Sequence, residues 1–186
     1  MSTKRDQIII ATRDLIFEQG LQAISMSQIA QRAEVGMGTI YNYFPSKEEL
    51  VLCLYSEIKL SMSDYVLDGY DETQPVVGRF LHLLTSTAHY GIQYPREFRL
   101  VEQLAQVPYI KEQAESTQYT LTTVFHQLFI EAQSQNLLKD MPPKVIALLI
   151  SGALNALIEA HATRQITLDD ALIKQTVAAC WDAIKR

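Results

Sequence analysis

The 186-residue sequence predicts an all-α fold of about nine helices. Three observations carry that prediction. Apolar residues recur three and four apart over most of the chain. Serine caps, glycines and prolines punctuate those runs. No apolar–polar alternation is bounded by Asn-Gly or Asp-Gly turns, so strand signals are missing. Hydrophobic residues make up 48% and charged residues 20%, an ordinary balance for a soluble globular protein with a sizeable core.

Residues 4–19 form the first expected helix. Ile8, Ala11, Leu15 and Ile16 share a face, and Gly20 is a stop signal. Ser25 followed by Gln28 is a capping-box pattern, which starts a second helix at about Met26. Ile29, Ala30 and Ala33 fall on one side of it. Gly36 and Gly38 then break the periodicity. A short helix at 38–44 carries Thr39, Tyr41, Asn42 and Tyr43, and Pro45 stops it. Ser46 and Glu49 cap the next helix, 47–67, in which Leu50, Leu54, Ile58 and Met62 are four apart.

Two helices joined by a glycine-containing turn, the second rich in hydrogen-bonding side chains, match a helix-turn-helix reader of the major groove. A small helical bundle with an ordinary polar face has the same pattern. Charge adds little. The net charge is -5 and the pI about 5.4, so any basic patch must be local. Residues 1–55 hold five bases (Lys4, Arg5, Arg13, Arg32, Lys47) against six acids. Lys4 and Arg5 stand where a basic arm would reach DNA, or they form a solvated terminus.

The run S-Q-I-A-Q-R-A-E-V-G-M-G-T-I-Y-N-Y-F-P-S-K-E-E-L resembles the TetR family of bacterial transcriptional regulators. The matching positions are Ile29, Ala30, Ala33, Val35, Gly38, Thr39, Tyr41, Tyr43, Phe44, Lys47 and Leu50. The chain departs at Glu34, where the family usually has Gly, and at Gly36, where it usually has a capping Ser. The resemblance covers about residues 5–55. It implies an N-terminal three-helix, homeodomain-like helix-turn-helix domain over 1–50, with the connecting helix 47–67 starting in it. A helical effector-binding and dimerisation domain over 51–186 would follow. It also implies a ligand-responsive regulator, most simply a repressor on a palindromic double-stranded operator. Tyr41 and Asn42 would meet bases, with Gln28, Met37 and Gly38 beside them. Thr39, Tyr43 and Lys47 would hold phosphates, with Ser25 or Ser27 adding another.

Residues 68–75 read as a polar loop, and helices are expected at 76–94, 97–106, 109–136, 144–163 and 168–185. Pro95 and Pro108 are read as helix ends. Aromatic residues concentrate in the central helices: Tyr90, Tyr94, Phe98, Tyr109, Tyr119, Phe125 and Phe129. Such a set describes a helical core or the wall of a ligand pocket. The resemblance favours a pocket for a small, mainly apolar or aromatic effector, with His89, Gln103, Asn155 and Glu159 as polar candidates. Residues 144–163 are apolar on most sides, which calls for more than one neighbour. Leu149, Gly152, Ala153, Ala156 and Ala160, with Val177 and Trp181 of the last helix, are the expected homodimer face.

No cofactor is expected. His82 and His89 share a helix face, but without a tighter cluster no metal site is assigned. No nucleophilic triad, phosphate loop or HExxH motif occurs, so an enzyme is not expected. Cys53 and Cys180 lack a CxxC motif and read as reduced thiols. No stretch is expected to span a bilayer, because Ser151, Gly152 and Asn155 interrupt the most apolar one. A cytoplasmic, DNA-associated bacterial protein follows from these expectations.

Overall fold

The computed structural model describes residues 3–116 and 120–186. Among them are the helices α1 Lys4–Gln19, α2 Met26–Arg32, α3 Met37–Tyr43, α4 Lys47–Leu67, α5 Val76–Gln93, α6 Pro95–Leu104, α7 Pro108–Ser116, α8 Thr120–Ser134, α9 Pro143–Ala162 and α10 Asp170–Ile184. The helix expected over 109–136 is thus described as α7 and α8. Tyr119 lies outside the described residues. α5 stops just before Pro95 as expected, and Pro95 and Pro108 also open α6 and α7. Proline suits a first helical turn, where its φ is preset and no N–H is required.

The chain divides into two compact units. One takes Met1–Lys59 with Leu100–Glu115, the other Leu60–Arg99 with Ser116–Arg186. The first is therefore larger than the 1–50 segment expected from the sequence, and the division passes inside α4.

Local chemistry fixes the helix ends of the first unit. Thr3 caps α1 in a full capping box with Asp6. The two hydrogen bonds from Thr3 hold the Asp6 carboxyl below its usual range. Gly20 ends α1 at φ +83°, a left-handed conformation that glycine adopts without strain. Ile8, Leu15, Ile29, Ile40, Leu50 and Leu54 are buried in this unit.

The second unit is built around Phe80, Leu83, Tyr90, Leu128, Ile146, Ile150, Leu154, Ile158 and Ile173. Gly91 lets α5 and α9 approach closely: a Cβ there would lie 2.7 Å from the Ile158 side chain. An antiparallel bridge between Leu138 and Lys185 ties the chain end to the segment after α8. By length and composition alone α9 is apolar enough to pass for a membrane span, as core helices of soluble proteins also do. Here its Ile146, Ile150, Leu154 and Ile158 stripe is buried in the unit core, while Val145, Leu148 and Leu149 are exposed.

Candidate nucleic-acid interface

The candidate surface is formed by α2, α3 and the start of α4, all in the first unit. In α2 the capping box is complete. Ser25 N donates to Gln28 Oε1 at 2.8 Å, and Gln28 N donates to Ser25 Oγ at 3.4 Å. Ser25 Oγ also lies 2.9 Å from Ser27 Oγ. Ser25, Ser27 and Gln28 are exposed, but the Gln28 amide oxygen is already occupied by its own helix start.

The turn between α2 and α3 bends at Glu34, which takes φ +54°. This left-handed angle disfavours a side chain bearing Cβ, and it explains why glycine suits the position better. Gly36 caps α3 through its backbone alone, without a side-chain hydrogen bond.

Along α3, Ile40 is 0% exposed and Phe44 is buried, and they anchor the helix. Tyr41 at 48% and Tyr43 at 46% point to solvent, with Met37, Gly38 and Asn42 also exposed and Thr39 half-buried. This outward set comprises hydroxyls, an amide and ring edges, the groups that can bond base edges or phosphates. A Cβ added at Gly38 would meet nothing within 4 Å.

The cations of this unit are largely committed to protein partners. Arg5 Nη2 lies 2.6 Å from Glu57 Oε1 and 2.8 Å from Cys53 Sγ, and its guanidinium stands 5.8 Å from the Phe44 ring centroid. It staples α1 to α4 through an exposed ion pair. Desolvation keeps the Cys53 thiol above its ordinary pKa. Arg32 grips Glu18 at 3.0 and 2.8 Å, and Arg13 lies 3.4 Å from Asp14. Lys47 Nζ donates to the Ile24 carbonyl at 2.7 Å.

The other predicted residues are scattered. Tyr90 and Tyr94 meet Tyr65 edge-on with ring centroids 5.5 and 6.0 Å away, and each other at 5.1 Å. Phe129 packs on Phe80 and Phe125. Phe98 is buried, Gln103 is exposed in the first unit, and Asn155 is half-buried on α9. Glu159 is paired with Arg99 at 2.6 Å and His89 with Asp170 at 3.2 Å. None of these residues lines either of two cavities in the second unit. One, of about 490 Å³, is bounded by Ile92, Pro95, His161, Ala162, Arg164 and Ile166. The other, of about 300 Å³, surrounds Arg79. Periodicity could not find either cavity, since a void depends on which distant side chains fail to meet.

Of the expected dimer face, Leu149, Gly152, Ala153 and Ala156 are exposed and Ala160 is half-buried. Val177 is buried within its own unit, and Trp181 is half-buried with its ring 5.1 Å from Phe80. The stripe containing Val177 faces the protomer's own core, so Val177 is corrected to a core residue. Ala178 and Ala179 are exposed on α10 instead. His82 contacts the Val66 carbonyl at 3.3 Å. Among the described residues no three His, Cys, Asp or Glu side chains gather as a metal site.

Comparison with known proteins supplies the family. The description "Bacterial regulatory proteins, tetR family" matches residues 8–54, and "Tetracyclin repressor-like, C-terminal domain" matches 55–186. An uncharacterised helix-turn-helix transcriptional regulator of Haemophilus influenzae is 27% identical over 184 residues, covering 97% of this chain and 95% of that protein. The repressor KstR of Rhodococcus jostii is 43% identical over 49 residues, 26% of this chain and 23% of its own. A TetR family regulator from Marinobacter aquaeolei shares the fold with a TM-score of 0.85 at 20% identity, covering 98% of this chain and 95% of that one. With both portions matched and an all-helical fold behind a helix-turn-helix, the chain belongs to the TetR family of DNA-binding transcriptional regulators.

Proposed function

We propose that the protein is a homodimeric, ligand-responsive repressor that leaves a palindromic operator when a small effector binds. The observation that carries this reading is the sidedness of α3: Ile40 and Phe44 turn inward while Tyr41, Asn42 and Tyr43 turn outward. Tyr41 and Asn42 serve as base contacts, with Met37 and Gly38 against the groove. Thr39, Tyr43 and Lys47 take phosphates, and Ser25 and Ser27 add hydroxyl contacts at the start of α2. Gln28 supports this surface by holding the helix start rather than by reading a base. In this scheme Lys47 exchanges the Ile24 carbonyl for a phosphate oxygen.

Two such readers occupy successive major grooves, about 34–36 Å apart or a multiple of it. The exposed Leu148, Leu149, Gly152 and Ala153 face of α9, with Ala178 and Ala179 of α10, pairs with its copy as a two-fold four-helix interface. The name of the KstR relative supports repression. The apolar walls Ile92, Pro95, Ala162 and Ile166 suit a mainly apolar effector, with His161 and Arg164 as polar handles. Effector binding changes the separation of the two readers. A near-complete switch requires a differential affinity of about 5.5 kcal/mol. Helix α4, which runs unbroken from Lys47 to Leu67, carries the change.

The test is genome-wide capture of bound DNA, followed by titration of a recovered site. A shared palindromic sequence bound by the purified protein and lost on Tyr41→Ala supports the reading. Capture without any shared sequence overturns it.

A further inference from the structure

We infer that α3 selects A·T pairs, and that Met37 takes the C5-methyl group of a thymine in the major groove. The inference rests on α3 being the reading helix proposed above, and it adds which bases that helix selects. α3 runs M-G-T-I-Y-N-Y and carries no charged residue. The side chains that single out guanine are Arg and Lys, and those that single out cytosine are Asp and Glu. This helix has none of the four. Cations elsewhere in the unit are engaged: Arg32 is gripped by Glu18, Arg5 pairs with Glu57, and Lys47 donates to the Ile24 carbonyl. What α3 offers instead suits A·T pairs. Asn42 is exposed, and its amide can bond N6 and N7 of an adenine together. The hydroxyls of Thr39, Tyr41 and Tyr43 both donate and accept, so they select no base by themselves.

Met37 is the first residue of α3 and is 42% exposed. The first residues of a recognition helix are the ones that meet base edges. A single exposed methionine is ordinary on a protein surface; its place at the start of this helix is what gives it a target. Glycines flank it. A Cβ at Gly38 would meet nothing within 4 Å, and one at Gly36 would meet only Thr39 Oγ1 at 4.0 Å. No side chain of a chain neighbour therefore stands beside the thioether. Tyr41 lies one turn further along the same face and is also exposed. The thioether has no donor and accepts only weakly, so neither a phosphate nor a polar base edge is a good partner for it. The apolar group on the major-groove edges is the thymine methyl. An unbranched, adaptable side chain can close over it.

The experiment is selection of bound duplexes from a random-sequence library by the 186-residue chain, repeated with Met37→Ala and Asn42→Ala. Both positions are exposed, so the variants should fold, which thermal melts check. The base positions whose preference either variant relaxes lie under α3, and they should hold A·T pairs. In the selected duplex, uracil then replaces thymine at one position of one half-site at a time. This removes the methyl and keeps the hydrogen bonding. Binding should fall about fourfold at the methyl that Met37 covers. In Met37→Ala the same replacement should have no effect, and Met37→Leu should restore the sensitivity. Three results would overturn the inference and leave DNA reading by α3 standing: G·C pairs at the relaxed positions, uracil without effect in the parent, or equal uracil sensitivity in Met37→Ala. No enriched sequence, or one that neither variant relaxes, would remove α3 as the reader and the inference with it.

Discussion

Gly38 costs the reader stability without any internal reason. It sits inside α3 with open space around it, where alanine would favour the helix by about 0.5–1 kcal/mol. The proposed place of Gly38 against the groove would account for glycine there. Gly38→Ala should raise Tm yet weaken operator binding. Thermal melts and a binding isotherm check both signs, and unchanged affinity would remove Gly38 from the interface. Glu34 presents the opposite case. At φ +54° its side chain bears a left-handed penalty of about 1–2 kcal/mol, part of which glycine returns as unfolded-state entropy. Glu34→Gly should therefore stabilise the protein by about 0.5–1 kcal/mol, read as a higher Tm. The strain was half legible in the sequence, because Glu34 is where the family pattern expects glycine. The angle itself needed the fold.

At the level of helices, what the sequence reveals is what is local. The boxes at Thr3–Asp6 and Ser25–Gln28 begin α1 and α2 through contacts three residues apart. The start of α4 was legible from Ser46, whose Oγ accepts from Glu49 N at 3.1 Å. The starts of α6 and α7 at Pro95 and Pro108 were missed because a proline ends one helix and begins another by the same missing N–H. Val177 was misplaced because periodicity finds an apolar stripe but cannot say whether the protomer or its copy covers it. The aromatic set on α5, α6 and α8 was legible as core or pocket wall, and Tyr90, Phe98 and Phe129 are buried in the core while Phe125 is half-buried. Tyr90 on α5 shows this burial directly. Desolvation pushes its phenol up to about 12 from the ordinary tyrosine value of 10.0. A raised folded pKa contributes stability that is complete below pH 10.0 and is lost as pH climbs towards about 12. Tyr90→Phe should make the fall of Tm across that alkaline window shallower than in the parent protein. An identical fall would show that Tyr90 does not govern it.

For the molecule as a whole, the exposed side of α9 is the feature a single copy leaves uncovered. Leu148 at 62% and Leu149 at 53% exposure flank Gly152, where an added Cβ would meet nothing within 4 Å. Such a face suits close packing against its two-fold mate. Leu149→Asp places a charge on that face without touching the buried Ile146–Ile150–Leu154 stripe. Light scattering should then report a 21.1 kDa particle where the parent gives twice that mass. A parent already at 21.1 kDa would reject the interface. The ion pairs that clasp Arg5, Arg13 and Arg32 to neighbouring carboxylates have a consequence for the search along a chromosome. With few idle cations to trade for condensed counterions, the head clings feebly to arbitrary sequence. Its binding to arbitrary sequence is therefore expected to show a shallow salt dependence, which titration over a salt series reads.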